Sequence, residues 1–119
     1  MRYFATASGP RVRDAMRAGL LGQIVTPAAG NRLLLGVAWC ADNAVFANRY
    51  PGDDIYLAWL DSRSWAAHRC AFAVAPDVVG DAAATLRRSA PMLPRLREAG
   101  YPAALAAQNG LEQRACPME

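Results

Sequence analysis

Ala71-Phe72-Ala73-Val74-Ala75, closed by Pro76-Asp77, is the stretch that decides the fold. Five apolar residues in a row, with no polar alternation, describe a strand buried on both faces. Such strands belong to parallel sheets covered by helices. Working outward, Leu33 to Cys40 is a second run of this kind and continues into Ala41-Asp42-Asn43. Tyr3-Phe4-Ala5-Thr6-Ala7 and Gln23-Ile24-Val25-Thr26 read as earlier strands, and Pro102 to Ala107 as a later one. Between them lie helical stretches. Val12, Met16 and Leu20 mark one buried stripe, with Ser8 as its N-cap and Pro10 in its first turn. Asp53 and Asp54 open a helix carrying Ile55, Trp59 and Leu60. Asp81 caps another through Leu86, and Pro91 and Pro94 separate it from a short helix at Arg95 to Ala99. Phe46 is expected to pack back on the core, and Trp59 and Trp65 to cover the sheet.

Strands recurring at about 30–35 residues match successive strand–helix–strand units. The expected fold is therefore α/β, with about four to five parallel strands and covering helices. Two architectures satisfy it: a small open sheet, or the amino-terminal half of a (β/α)8 barrel, which as a whole takes about 250 residues. The chain has 119.

Composition narrows the class. Apolar residues make up 54% of the chain and charged ones 19%, as in a folded domain. No stretch reads as a membrane span, and the first residues lack the apolar run of a secretion signal, so a soluble, cytoplasmic protein is expected. Cys40, Cys70 and Cys116 are widely spaced, and His68 is the single histidine, an inventory that suits neither a disulfide framework nor a metal site. No metal and no cofactor are expected. The net charge of +3 permits a polyanionic partner without requiring one. All 13 basic residues are arginine, which fits a coding bias, although the guanidinium fork also suits phosphate. Arg87, Arg88, Arg95 and Arg97 form a basic helical region that either touches phosphate or is simply solvated.

The functional signal lies at the strand ends. Asp42 follows Val37-Ala38-Trp39-Cys40-Ala41, Asp77 follows Phe72 to Pro76, and Gln108 follows Leu105-Ala106-Ala107. In parallel α/β folds these ends share one edge, where sites are built. The three side chains either cap the turns that follow or converge on one mouth, with Trp39 close enough to line it. A guanine-like base presents adjacent N–H donors beside a carbonyl. One carboxylate can accept the donors, the glutamine amide can donate to the carbonyl, and a second carboxylate is left for proton transfer. Metal-assisted hydrolysis and sugar chemistry use paired aspartates too.

Trp39-Cys40-Ala41-Asp42-Asn43-Ala44-Val45-Phe46 resembles the Asp-Ser-Gly-Gly-Phe segment of the tRNA-guanine transglycosylase superfamily, the queuine tRNA-ribosyltransferases. Ala75 to Asp81 is similar to that superfamily's purine-recognising segment, and Ala106-Ala107-Gln108-Asn109-Gly110 to its Val-Gln-Gly strand end. The order is the same. Arg2 to Gly9 and Thr26 to Asn31 are similar to segments of the phage and actinobacterial deazapurine-in-DNA protein A branch. The resemblance covers residues up to about Leu111. It implies a barrel enzyme that exchanges guanine for a 7-deazaguanine base in DNA or tRNA. Asp42 is then the catalytic acid/base, while Asp77 pairs with the base's donor edge and Gln108 donates to its carbonyl. Asn43, with Ala44, stands where the family has its Ser-Gly pair beside the base. The family's glycine-rich loop and nucleophilic aspartate have no counterpart here, and residues 112–119 diverge from it. The expectation is residues 1–111 as the front half of such a barrel, followed by a disordered tail. Such a fragment is expected to be inactive alone and to self-associate through its open sheet edges. The other reading is a small stand-alone α/β binding domain without catalysis.

Overall fold

The computed structural model describes residues 2–111. The tail 112–119, expected to be disordered, lies outside the described residues, as does Cys116. Five strands form one sheet: β1 (Phe4–Ala5), β2 (Gly22–Val25), β3 (Trp39–Ala41), β4 (Cys70–Val74) and β5 (Ala103–Ala104). Their order across the sheet is their order in the chain, and every neighbouring pair is parallel. Four α-helices, α1 (Pro10–Arg17), α2 (Asp53–Asp61), α3 (Ala82–Ser89) and α4 (Met92–Glu98), and a 3-10 helix at Ser64–Arg69 fill the connections. The chain is thus a mixed α/β protein with an all-parallel sheet flanked by helices.

The order has a geometric consequence. Strand–crossover–strand connections are right-handed, so a sheet that never reverses direction receives every helix on the same face. Packing follows that rule. Val25, Trp39, Ala41, Ala73 and Ala103 point to one side, where they meet Tyr56 and Leu60 of α2 and Met92, Leu93 and Leu96 of α4. Met16 of α1 packs with Ala7 and Val37, against Val12 and Ala5. The aromatic groups of this core are hydrogen-bonded. Trp39 Nε1 donates to Ala66 O at 2.9 Å, and Tyr56 Oη to Val74 O at 2.8 Å. Tyr101 donates to Leu60 O and meets the Trp39 indole edge-on.

Phe4, Ile24, Cys40, Phe72 and Val74 alternate onto the opposite face. Phe4 on β1 and Phe72 on β4 touch edge to face, 5.8 Å between ring centroids. In a flat sheet strands three steps apart are separated by roughly 14 Å. The sheet therefore curls, with this face concave. Gly22 allows it, because a Cβ there would lie 2.4 Å from two atoms of the Phe4 ring.

The β2–β3 crossover carries no helix. Leu33 to Cys40 was expected as one strand, yet only Trp39–Ala41 join the ladder. Leu33 and Leu34 instead pack on the core from the helix side. This extended segment needs partners for its backbone, and the fully buried Gln23 provides them. Its Nε2 donates to Arg32 O at 2.8 Å, and its Oε1 accepts the Leu34 N–H at 3.0 Å. Three smaller expectations also change. Gly9 rather than Ser8 stands at the N-cap of α1, with Pro10 in the first turn as expected. Leu20 is 72% exposed, because α1 has already ended at Arg17 and Gly19 turns the chain at φ +81°. Phe46 and Trp65 lie open to solvent, 88% and 53% exposed, rather than packed on core or sheet.

Gly22→Ala is expected to lower stability by about 1–3 kcal/mol, the usual range for overpacking. Phe4→Ala should absorb most of that loss, so urea denaturation of the single and double variants should be clearly non-additive.

Candidate functional site

β3 ends at Ala41, and the Asp42 N–H still reaches Val25 O at 2.8 Å, which fixes the next two residues at the carboxyl edge of the sheet. Asn43 is buried, and its amide is fully engaged. Nδ2 donates to Ala75 O at 2.9 Å and to Asp77 Oδ1 at 2.8 Å, while Oδ1 accepts the Val45 N–H at 2.9 Å. From the end of β5, Gln108 Nε2 donates to Asp77 Oδ2 at 3.0 Å. The Gly80 N–H donates to Gln108 Oε1 at 2.8 Å, which fixes which end of that amide faces Asp77. Asp77, Asn43 and Gln108, placed 34 and 31 residues apart along the chain, form one hydrogen-bonded cluster.

The loop that carries Asp77 is held from below by α3. Thr85 Oγ1 accepts the Val78 N–H at 2.9 Å and donates to Val78 O at 2.8 Å. Ser89 Oγ donates to Pro76 O at 2.6 Å. Asp81 caps α3 through the Ala84 N–H at 2.9 Å, as expected from sequence. Thr85 and Ser89 were missed in the sequence reading. Their signal is two hydroxyls four residues apart, on one face of an otherwise alanine-rich helix, both buried.

Asp42 precedes Asn43 in the chain and faces a cleft of about 260 Å³ lined by Thr26, Asp42, Ala44, Phe46 and Arg49 among others, to which Asn43, Asp77 and Gln108 do not contribute. Its Oδ2 accepts the Ala44 N–H at 3.2 Å. Ala44 has φ +65° and is buried, a left-handed backbone that alanine adopts at a cost of about 1–2 kcal/mol. Glycine is the residue that occupies such a position freely. Arg49, also unremarked in the sequence, is the cation of this cleft.

A carboxylate has about four acceptor positions and an amide nitrogen two protons. With the bonds above counted, Asp77 keeps two acceptor positions and Gln108 Nε2 keeps one donor. Asn43 keeps none on its nitrogen, so it positions Asp77 rather than meeting a ligand.

Trp39 is a correction. It was expected to line the mouth, but it is fully buried on the helix side of β3 with its indole N–H engaged by Ala66. The basic helical region is also reassigned in part. Arg88 makes a two-pronged pair with Asp53 at 2.7 and 3.2 Å, and Arg95 reaches Asp54 at 3.2 Å. The Arg88 guanidinium, with the Tyr50 hydroxyl at 2.6 Å, holds the Asp53 carboxyl below its ordinary range. Cys40 and Cys70 are free thiols, pushed up to about 12 and about 11 by burial, so neither is a thiolate at neutral pH. Among the described residues no group of His, Cys, Asp and Glu could hold a metal ion, and no helix is long and apolar enough to cross a membrane.

Thr85→Val removes both hydroxyl bonds to Val78 and leaves the Val78 N–H without its partner, while Val78 O keeps the Asp81 N–H at 3.1 Å. A stability loss of about 1–3 kcal/mol is expected. Hydrogen exchange should rise at Val78 and Gly80, and Thr85→Ser should restore both readouts.

No protein-family model, no curated protein and no solved structure matches this chain, so the chemistry of the site is read from its own donors and acceptors.

Proposed function

We propose that the carboxyl edge of the sheet reads a guanine-type base, and that the sheet is the front half of a (β/α)8 barrel of the transglycosylase kind. The observation that carries this reading is the Asp77 cluster, in which two acceptor positions and one fixed donor are left for a ligand. A 2-amino-4-oxo ring offers the complement: an exocyclic amine and a ring N–H as donors, with a carbonyl beside them. Adenine, whose ring nitrogen at that edge accepts, does not fit. Asp42, one residue before Asn43 at the end of β3, is the proton-handling carboxylate. The exposed Phe46 ring at the cleft is a flat apolar wall for a planar base. Chain-order strands, helices on one face and the Phe4–Phe72 contact all support a curling half barrel.

In the resembling enzymes a carboxylate nucleophile displaces the departing base, and it stands on a later strand than the five described here. This chain's own part is recognition and proton handling, with DNA or tRNA as the polymer that carries the base. Calorimetric titration should show 7-deazaguanine binding and adenine not. Asp77→Asn should weaken 7-deazaguanine binding by about 10- to 100-fold, since charge-assisted hydrogen bonds are removed. Equal binding by the variant would sink the assignment. Exchange of labelled guanine into DNA and tRNA is expected to be absent with the chain alone. Robust exchange that disappears in Asp42→Asn would show a complete enzyme instead.

The half-barrel reading also leaves the outer edges of β1 and β5 open to pairing. Sedimentation velocity over a concentration series should show self-association. A monomer that unfolds in one cooperative transition would favour a stand-alone binding domain.

A further inference from the structure

The opposite, amino-terminal end of the sheet carries a second cluster with a different character. Arg32 and Leu33 of the β2–β3 crossover, Ser62 and Arg63 after α2, and Trp65 of the 3-10 helix line a cleft of about 290 Å³. Trp65 is 53% exposed. Arg63 lies over the Trp59 ring at 4.5 Å, and its Nη1 donates to Trp59 O and Ser62 Oγ. That holds the guanidinium in place and leaves its other nitrogens outside those bonds. Asp61 is exposed beside Ser62 but does not line the cleft. Arg32 and Arg63 make no ion pair among the described residues, whereas Arg88 and Arg95 at the other cluster of arginines do.

A third guanidinium meets the same indole. The Arg69 guanidinium sits 5.7 Å from the Trp65 ring centroid. Its Nη1 meets His68 at 3.3 Å, while Nε and Nη2 are buried without a hydrogen-bond partner. Nε–H and Nη2–H are the two parallel donors of the guanidinium's side, the fork that fits a phosphate or carboxylate. Both atoms are closed to solvent and Arg69 does not line the cleft, so the cleft's own cations are Arg32 and Arg63.

We propose that this amino-terminal cleft binds a nucleotide unit of a single nucleic-acid strand, with the base on Trp65 and the phosphate on Arg32 and Arg63. An exposed indole beside guanidinium groups that make no ion pair among the described residues is the pairing that strand-binding surfaces use, because every base has a face to stack and every linkage a charge. An acidic peptide would use the arginines but leave the indole without a role. The site is separate from the Asp77 cluster and does not rest on the base-reading assignment.

Fluorescence anisotropy of the full chain with a labelled oligothymidylate tests it, with thymidine monophosphate and polyglutamate of equal charge as competitors. Arg32 and Trp65 are exposed, so Arg32→Ala and Trp65→Ala should keep the fold, which circular dichroism checks. Trp65→Ala should bind roughly 5- to 100-fold more weakly, the range spanned by base–aromatic stacking, with its salt dependence unchanged. Arg32→Ala should reduce the slope of log affinity against log salt by about one. Oligonucleotide should quench tryptophan emission in the wild type and not in Trp65→Ala. The proposal is overturned by no oligonucleotide binding, by both variants binding like the wild type, or by polyglutamate competing as well as the strand. Monophosphate binding as tightly as the strand also overturns it, and assigns the cleft to a free nucleotide. Asp77→Asn should bind the oligonucleotide like the wild type whether or not 7-deazaguanine binds, so the two assignments fail separately.

Discussion

A parallel sheet whose strands follow one another in chain order has no place where its connections change sides. Each right-handed crossover lands on the same face, and each strand leaves its carboxyl end at the same edge. That constraint brings Asp42, Asp77 and Gln108 to one rim from three separate strands. It also leaves the other face without helices of its own, and Phe4 and Phe72 partly cover it by meeting across the curl. Gly22 is the point where the two demands meet. A side chain there would push the Phe4 ring off β2 and open the curl that brings the two rings together.

What the sequence made legible was the polarity of the strand ends. An apolar run that stops abruptly at Asp or Gln marks a residue leaving the sheet, and parallel topology then assigns those residues to one edge. Strand parity was not legible. In an uninterrupted run such as Val37 to Ala41 nothing distinguishes the residue facing the helices from the one facing away, so Trp39 was given to the mouth when it belongs to the core. The same lack of alternation hid the crossover. Leu33 to Leu35 are as apolar as a strand, and only the burial of Gln23 beneath them reveals a segment lying where a helix would.

The hydroxyl contacts were harder still to foresee. Thr85 and Ser89 act on Val78 and Pro76, seven and thirteen residues away, and their partners are backbone groups that leave no trace in residue type. Alanine-rich α3 has little bulk with which to grip a loop. Two buried hydroxyls do so by direction instead, which is why they stand on the packed face where a purely apolar helix would carry leucine.

The aspartates of this chain fall into two kinds, and the difference bears on which of them can meet a ligand. Asp53 is held on both oxygens by the Arg88 fork and by the Tyr50 hydroxyl, and its charge is answered where it stands. Such a carboxylate ties α2 to α3 and has little left to offer. Asp77 is held on both oxygens too, but by the amides of Asn43 and Gln108. Amides fix the plane of a carboxylate without cancelling its charge, and each takes only one of the two acceptor positions on its oxygen. A group oriented in this way is ready for paired N–H donors before they arrive, and little rearrangement is needed when they do. Replacing those amides by an arginine would hold Asp77 at least as firmly and would use up the charge and acceptor positions that the amides leave open.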